Sequence, residues 1–383
     1  MFLLKLVLRN AFRHRLRTLL TITGLAIAVL AFGLLRTVVD AWYAGAAAAS
    51  SARLITRNAI SLAFFLPASY ESRIRAVEGV TRVARSTWFG GIYQEPKNFF
   101  PQFAVSPAYL DLYPEFIIPA EERAAWARDR KGALVGRQLA EQFGFKVGDV
   151  LPIKGSIYPG TWEFVVRGIF DGADSGTLTR HMLFHWDYLN ETLRKKSPRR
   201  ADFVGVFVVG IDQPDNAAAV SQRVDEVFRN SLAETLTETE QAFQLGFVAM
   251  SDQIIAAIRV VAYVVIVIIL AVMANTMAMS ARERTSEYAT LKALGFGPGF
   301  LAALIFGESA ALAAVGAAIG IAAGAPVAAF FKQAVGIFPI FEISSDTIAL
   351  QVACAAVVAL AAAVVPAVQA ARVRIVEGLR SIA

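Results

Sequence analysis

ANTMAMSARERTSEYATLKALGFGPG, residues 274–299, is a short charged segment between two long apolar runs. Residues 260–273 before it carry no charge, and residues 300–331 after it carry only Glu308. Within it Arg282, Glu283, Arg284, Glu287 and Lys292 fall in eleven positions, with Tyr288, Leu291 and Leu294 among them at helical spacing. Such a helix between two membrane spans faces an aqueous compartment, where a partner can push on it.

The rest of the chain follows outward from that segment. The 383 residues are 56% hydrophobic and only 18% charged, with a mean hydropathy of +0.53, against about a quarter charged in a soluble domain. The apolar residues gather in four runs, 18–39, 260–279, 301–331 and 347–371, each near the 20 residues a membrane helix needs. Between the first and second lie about 200 residues of globular composition. The net charge of +6 resides almost wholly in the first 40 residues, which hold 6 basic and 1 acidic side chains, while residues 41–246 hold 23 of each sign. Lys5, Arg9, Arg13, Arg15 and Arg17 precede the first run, Arg282, Arg284 and Lys292 follow the second, and Arg372, Arg374 and Arg380 follow the fourth. With four spans these three places share one side, and the positive-inside rule makes it cytoplasmic. Both termini are then cytoplasmic and the large neutral region is periplasmic or extracellular. Basic residues that flank spans are no nucleic-acid face. The single cysteine, Cys354, lies in the fourth span, so the outer region has no disulfide.

The expected organisation runs as follows. Residues 1–17 form an amphipathic helix in the cytoplasmic interface, its cations at steps of four turned to anionic membrane lipid, and not a cleaved signal peptide. Span one covers 18–39, with Arg36 and Asp40 placed to pair on one helical face. The outer domain covers 40–246 and mixes α and β. A strand, helix, strand pattern at each of its ends predicts two βαβ units that pair across a β-rich insert of about 107–200. Within that insert 121–130 and 135–143 read as helices, 150–154 and 162–170 as strands, and 194–200 as a solvated basic loop. Residues 247–279 carry no Pro or Gly and read as one helix, a stalk continuous with span two. The cytoplasmic segment is 280–299. Span three covers 300–331, with Gly316, Gly320 and Gly324 as a packing face and Glu308 as an intramembrane carboxylate. Glu308 is a functional candidate by its position, but is read chiefly as structural, either snorkelling or accepting a hydrogen bond from a neighbouring helix. Span four covers 345–371, with Pro366 marking its end, and 372–383 is a cytoplasmic tail.

Catalytic signatures are missing. The sequence holds no GxxxxGK[ST], HExxH, CxxC or GxSxG pattern, which argues against an active site or a phosphate cradle in this polypeptide. His181 and His185 stand four apart with Asp187 beyond, but Phe184 and Leu183 between them fit a strand or packed surface better than a metal site.

Topology and motifs together resemble the FtsX-like or MacB-type permeases of ABC transporters. Glu283-Arg284, Glu287 and Leu291-Lys292-Ala293-Leu294-Gly295 resemble that family's "ERxxEIGxLKALG" segment, with Ala289-Thr290 in place of its Gly and hydrophobic pair. Glu308 and the following glycines resemble its "E…GxxxG". Pro366-Ala367, Ala370-Ala371 and Glu377-Gly378-Leu379-Arg380 resemble its closing "PAxxAAxxxPxEALR", with Ile375 where proline is common and Gly378 where alanine is common. The resemblance implies an integral membrane α-helical protein with four transmembrane helices and an α+β extracytoplasmic domain. That domain would have porter-like parts at about 50–106 and 201–240. It implies a non-enzymatic permease in the inner membrane that pairs with a second permease subunit, identical or homologous. Two copies of an ABC ATPase, a separate chain carrying the ATP and Mg, would dock on a coupling helix comprising Arg282, Glu283, Arg284, Glu287, Leu291, Lys292, Leu294 and Gly295. ATP hydrolysis would move the outer domain mechanically for efflux or extrusion, with a periplasmic adaptor or lipoprotein as a further partner. The alternatives are a permease that extracts lipoproteins or lipids and a signalling permease that activates a cell-wall hydrolase. The large outer domain favours transport over signalling.

Overall fold

Each apolar run forms one long helix in the computed structural model, which describes residues 7, 9, 13–174, 176–335 and 341–374. Spans one to four are Arg15–Ala48, Asp252–Glu283, Pro298–Val335 and Ser345–Arg372. The shortest has 28 residues. At 1.5 Å per residue that is about 42 Å, ample for a hydrocarbon layer of about 30 Å. The chain is an integral membrane protein with a large α+β domain between its first and second spans. The helices belong to one unit, Met1–Trp42 with Ser251–Ala383, and Tyr43–Met250 forms the other.

In the helical unit span four supplies a buried stripe, Gln351, Ala355, Val358, Ala359, Ala362, Ala363, Ala367 and Ala370. Small residues at that spacing let neighbouring backbones come close, and polar side chains then bridge them. Gln351 Nε2 donates to the Val29 carbonyl of span one at 2.8 Å, and Ser309 Oγ of span three donates to the Ala359 carbonyl at 2.7 Å. The glycine face of span three is used the same way. A Cβ on Gly316 would stand 2.8 Å from the Leu25 side chain, and one on Gly320 would stand 2.6 Å from the Ala26 carbonyl oxygen. Gly324 lies against Ile343, ahead of span four. Arg36 and Asp40 do pair, at 3.2 Å, and Thr347 Oγ1 donates to the same carboxylate at 3.1 Å.

The structure corrects three expectations here. Pro366 does not end span four, which continues to Arg372. Proline removes one donor, but unwinding the backbone inside lipid would orphan several more. The stalk is not continuous. One helix ends at Ala249, Met250 and Ser251 intervene, and span two starts at Asp252. Ser251 lies at φ −104° and ψ 7°, off the helical region. Serine followed by aspartate favours a fresh helix start over a helix interior. The charged segment expected over 280–299 is not one helix either. Span two runs on through Arg282 and Glu283, the chain turns at Arg284, and a second helix spans Thr285–Ala293. The expected interfacial helix over 1–17 lies largely outside the described residues, as does most of the 372–383 tail. Of that helix, Val7 is buried and in reach of Gly307 of span three, so it packs on protein, and Arg15 and Arg17 already belong to span one.

In the outer unit the two terminal βαβ patterns interleave. Strands β1 (Arg53–Asn58), β3 (Val80–Trp88), β12 (Val206–Ile211) and β13 (Thr235–Thr239) lie in the order β13-β1-β12-β3, each antiparallel to its neighbour. The helices Tyr70–Arg75 and Ala217–Val227 supply the two crossovers. This is the split-βαβ arrangement of ferredoxin-like folds. Strand β12, VFVVGI, is apolar throughout because both its faces are covered. Phe207 and Val209 meet Val220, Val224 and Phe228, while Val208 belongs with Tyr109, Tyr113 and Trp126 on the other side.

The expected insert does not stand apart. Its strands extend the same sheet from β3 through β5 (Gln102–Val105), β10 (Met182–His185), β7 (Gly132–Gly136), β9 (Gly160–Gly172), β8 (Val150–Gly155) and β4 (Gly91–Tyr93). Val135 is on buried strand β7, not in a helix, and the helix starts at Arg137. Residues 194–200 are not a loop. They are the last turn of helix Trp186–Lys196 and a 3₁₀ turn, with Arg194 paired to Asp202 at 2.6 Å. His181 and His185 lie on or beside β10, where four residues span about 13 Å, too far for one metal. His185 Nε2 instead hydrogen-bonds the Trp126 carbonyl at 2.7 Å, and His181 packs against Phe103, Phe116 and Phe170.

Burial pushes the His181 pKa down from 6.5 to about 4. A depressed histidine contributes stability that is present above pH 6.5 and lost as pH falls toward 4, because only the unfolded chain takes the proton in that window. Between pH 7 and pH 5 this amounts to about 2 kcal/mol. Tryptophan fluorescence reports the outer unit through Trp88, Trp126, Trp162 and Trp186. Thermal unfolding followed this way should show the native chain losing about 2 kcal/mol more than His181→Phe between those pH values. Equal losses would mean that His181 does not carry the pH dependence.

Candidate functional site at the charged turn

Arg284 stands where span two ends, at φ −107° and ψ 15°, and its guanidinium turns inward. It meets Glu308 of span three at 3.0 Å and Glu287, one helical turn on, at 3.0 Å. The Arg284 and Glu308 side chains are only 8% and 7% exposed. Ser280 Oγ donates to the other Glu308 oxygen at 3.3 Å. Burial alone would lower the Arg284 pKa, but Tyr288 and the two carboxylates more than offset it and hold it above its ordinary value. Tyr288 is buried beneath the turn, 5.7 Å from the guanidinium.

Glu283, Glu287 and Lys292 of the segment are also tied. Glu283 receives both terminal nitrogens of Arg17, at 2.7 and 2.8 Å, a bidentate pair. Glu287 pairs with Arg13 as well as Arg284, and these guanidiniums hold its carboxyl below the usual range although burial pushes it up. Lys292 Nζ donates to the carbonyls of Ala371 and Val373, at 2.7 and 2.8 Å, where span four ends. A cation there satisfies carbonyls that the helix leaves unpaired and suits the helix dipole. Leu291 is half-buried. The eight residues singled out from the sequence therefore divide. Arg284 and Lys292 face the bundle, Glu283 and Glu287 face the start of span one, and Arg282, Leu294 and Gly295 face outward. Leu294 is 71% exposed, and Gly295 at φ +94° turns the chain into Phe296, Gly297 and Pro298. Phe296 is 39% exposed, and its ring lies tilted against that of Phe300, with centroids 4.6 Å apart.

Sequence reasoning missed Arg13 and Arg17 as part of this site. The signal was present. Arg13 and Arg17 stand four apart in the sequence, as do Glu283 and Glu287, so two stretches of opposite charge match in antiparallel order. Nothing local to either segment announces the pairing.

A second charge cluster lies in the outer unit, where the chain leaves β13. Glu240 accepts from the Ser50 amide at 3.2 Å, from Arg53 Nε at 2.7 Å and from the Tyr113 hydroxyl at 2.8 Å. Arg53 also pairs with Glu115 at 2.6 Å and lies 4.1 Å over the Tyr113 ring. Both chain connections of this unit thus converge on one buried carboxylate. Among the described residues no group of three or more His, Cys, Asp and Glu could hold a metal ion.

Comparison with known proteins agrees with this architecture. A family model described as FtsX-like permease C-terminal matches residues 259–375, and one described as MacB-like periplasmic core domain matches residues 18–227. No curated protein matches the chain. Among solved structures it is similar to the extracellular domain of the ABC-type transporter YknZ from Gram-positive bacteria, at 10% identity and a TM-score of 0.36, covering 49% of this chain and 98% of that one. It is also similar to the periplasmic region of MacB from Actinobacillus actinomycetemcomitans, at 9% identity and a TM-score of 0.38, covering 51% of this chain and 92% of that one.

Removing one partner of a buried pair strands the other charge, at about 3–5 kcal/mol, whereas apolar replacement of both is often neutral. Glu308→Leu should therefore lower the thermal stability of the detergent-solubilised chain by about 3 kcal/mol, and adding Arg284→Met should restore most of it. A double variant no more stable than Glu308→Leu would refute the pairing.

Proposed function

Because this chain belongs to the MacB/FtsX-like ABC permease family, with an FtsX-like C-terminal part and a MacB-like extracytoplasmic core domain, we propose that it is the dimeric membrane subunit that converts ATP hydrolysis by a separate ATPase into movement of its outer domain. The ATP and Mg belong to that partner. The charged side is cytoplasmic, and helix Thr285–Ala293 is the coupling helix. The observation that carries the reading is the exposure of Leu294 at the end of a helix whose charges are internally tied. An apolar side chain held rigidly at a left-handed turn is suited to fill a groove in a partner.

The division of roles differs from a uniform docking helix. Arg282, Leu294, Gly295 and Phe296 make the contact. Arg284, Glu287 and Lys292 fix the helix against spans three and four, and Glu283 fixes it against span one. A push on Leu294 therefore reaches three spans through short charge-assisted bonds, which are stronger than neutral ones. Closure of two ATPase subunits displaces the helix, and span two carries the displacement along a continuous helix from Glu283 to Asp252. Beyond it the backbone passes Met250 and Ser251 into helix Glu240–Ala249, whose first residue is the clamped Glu240. The substrate is moved on the outer side of the membrane, for export or extrusion.

Leu294→Asp with Phe296→Ala should reduce co-purification of the ATPase from native membranes at least ten-fold, equal to about 1.4 kcal/mol or more. The level and thermal stability of the permease should stay unchanged. Undiminished co-purification would refute docking through this turn.

A further inference from the structure

We propose that the start of span one, facing span two, holds a binding site for the headgroup of one anionic phospholipid. A recess of about 690 Å³ opens there, within the size range of small-molecule sites. Arg13, His14, Arg15 and Arg17 form its polar rim, and Leu20 and Val272 contribute an apolar wall. At its far end Thr21 Oγ1 approaches Thr276 Oγ1 of span two at 3.5 Å.

Three features select the ligand. Arg13 and Arg17 are engaged with Glu287 and Glu283, but Arg15 is exposed and forms no ion pair among the described residues. Its guanidinium is a planar fork suited to a phosphate. Leu16 and Leu20 are 73% and 64% exposed beside these cations. A free inorganic anion would use the rim and leave those leucines bare, whereas an amphiphile with a phosphate and acyl chains uses both. Finally, the recess lies within the first two turns of an apolar helix, the depth at which headgroups and Arg side chains meet. A phosphate on Arg15 leaves the Arg13–Glu287 and Arg17–Glu283 pairs in place, so the lipid braces the contact of span one with the charged turn. The site needs a membrane around the spans and does not depend on the partner ATPase.

Native mass spectrometry of the full chain in detergent, titrated with phosphatidylglycerol or with phosphatidylcholine of the same acyl chains, tests this. One phosphatidylglycerol should bind at a concentration about ten-fold below that needed for phosphatidylcholine, a difference of about 1.4 kcal/mol. Arg15→Gln with His14→Gln should reduce that preference at least three-fold, while Arg259→Gln, an exposed arginine at the other end of span two, should leave it intact. Equal binding of both lipids, or equal loss in the Arg259→Gln variant, would overturn the proposal. Displacement of the lipid by millimolar inorganic phosphate would reassign the site to a free anion and overturn it too.

Discussion

Glu308 and Arg284 are two charges that cannot reach water, and the shape of the charged turn follows from that. Glu308 lies ten residues into span three, about 15 Å along the helix. An uncompensated carboxylate there would cost several kcal/mol, so a cation must be brought to it. Arg284 is that cation, and to reach 3.0 Å from Glu308 it must point into the bundle rather than along span two. The helix accordingly ends at Glu283 and restarts at Thr285. Once the turn is set, Glu287 is delivered to Arg13 and Lys292 to the carbonyls of span four. Leu294 is left at the outward-facing end of a helix whose charged residues, Glu287 and Lys292, are already paired. A buried pair of this kind adds little net stability, but its partners and distances hold the turn in one geometry.

The outer unit meets a related demand by the same means. Its connections to spans one and two leave through Ser50 and Glu240, and Glu240 hydrogen-bonds Ser50, Arg53 and Tyr113. These connections lead directly into strands β1 and β13, which pair from Leu54–Thr239 to Asn58–Thr235. Those strands belong to a sheet of eleven strands among the described residues.

Much of this was legible in the sequence, because lipid permits few solutions. Runs of apolar residues, flanking arginines and the Gly316, Gly320 and Gly324 face follow from hydrocarbon thickness and close helix approach, both local in sequence. The two βαβ patterns were legible from strand and helix periodicity. What was not legible depends on distant partners. Arg17 and Glu283 lie 266 residues apart, and the four-residue spacing of charges in each segment does not say that the two segments meet. Arg284 and Lys292 read as surface charges because their partners, Glu308 and the end of span four, lie elsewhere in the chain. Strand β7, GALVG, escaped notice because two glycines and an alanine carry weak strand preference, and burial between β10 and β9 decides its form. The insert strands joined the porter sheet because edge strand β3 offered unpaired backbone groups to β5.

The central claim is that the ATPase seats on the turn at Leu294. Cys354 is the only cysteine and lies half-buried in span four, so Cys354→Ala gives a background free of thiols. In that background Leu294→Cys, treated in native membranes with a short thiol–amine crosslinker, should give one adduct joining this chain to its ATPase, with a yield that changes on adding nucleotide. Absence of that adduct, with equal labelling of the introduced thiol by a small maleimide, would contradict the account.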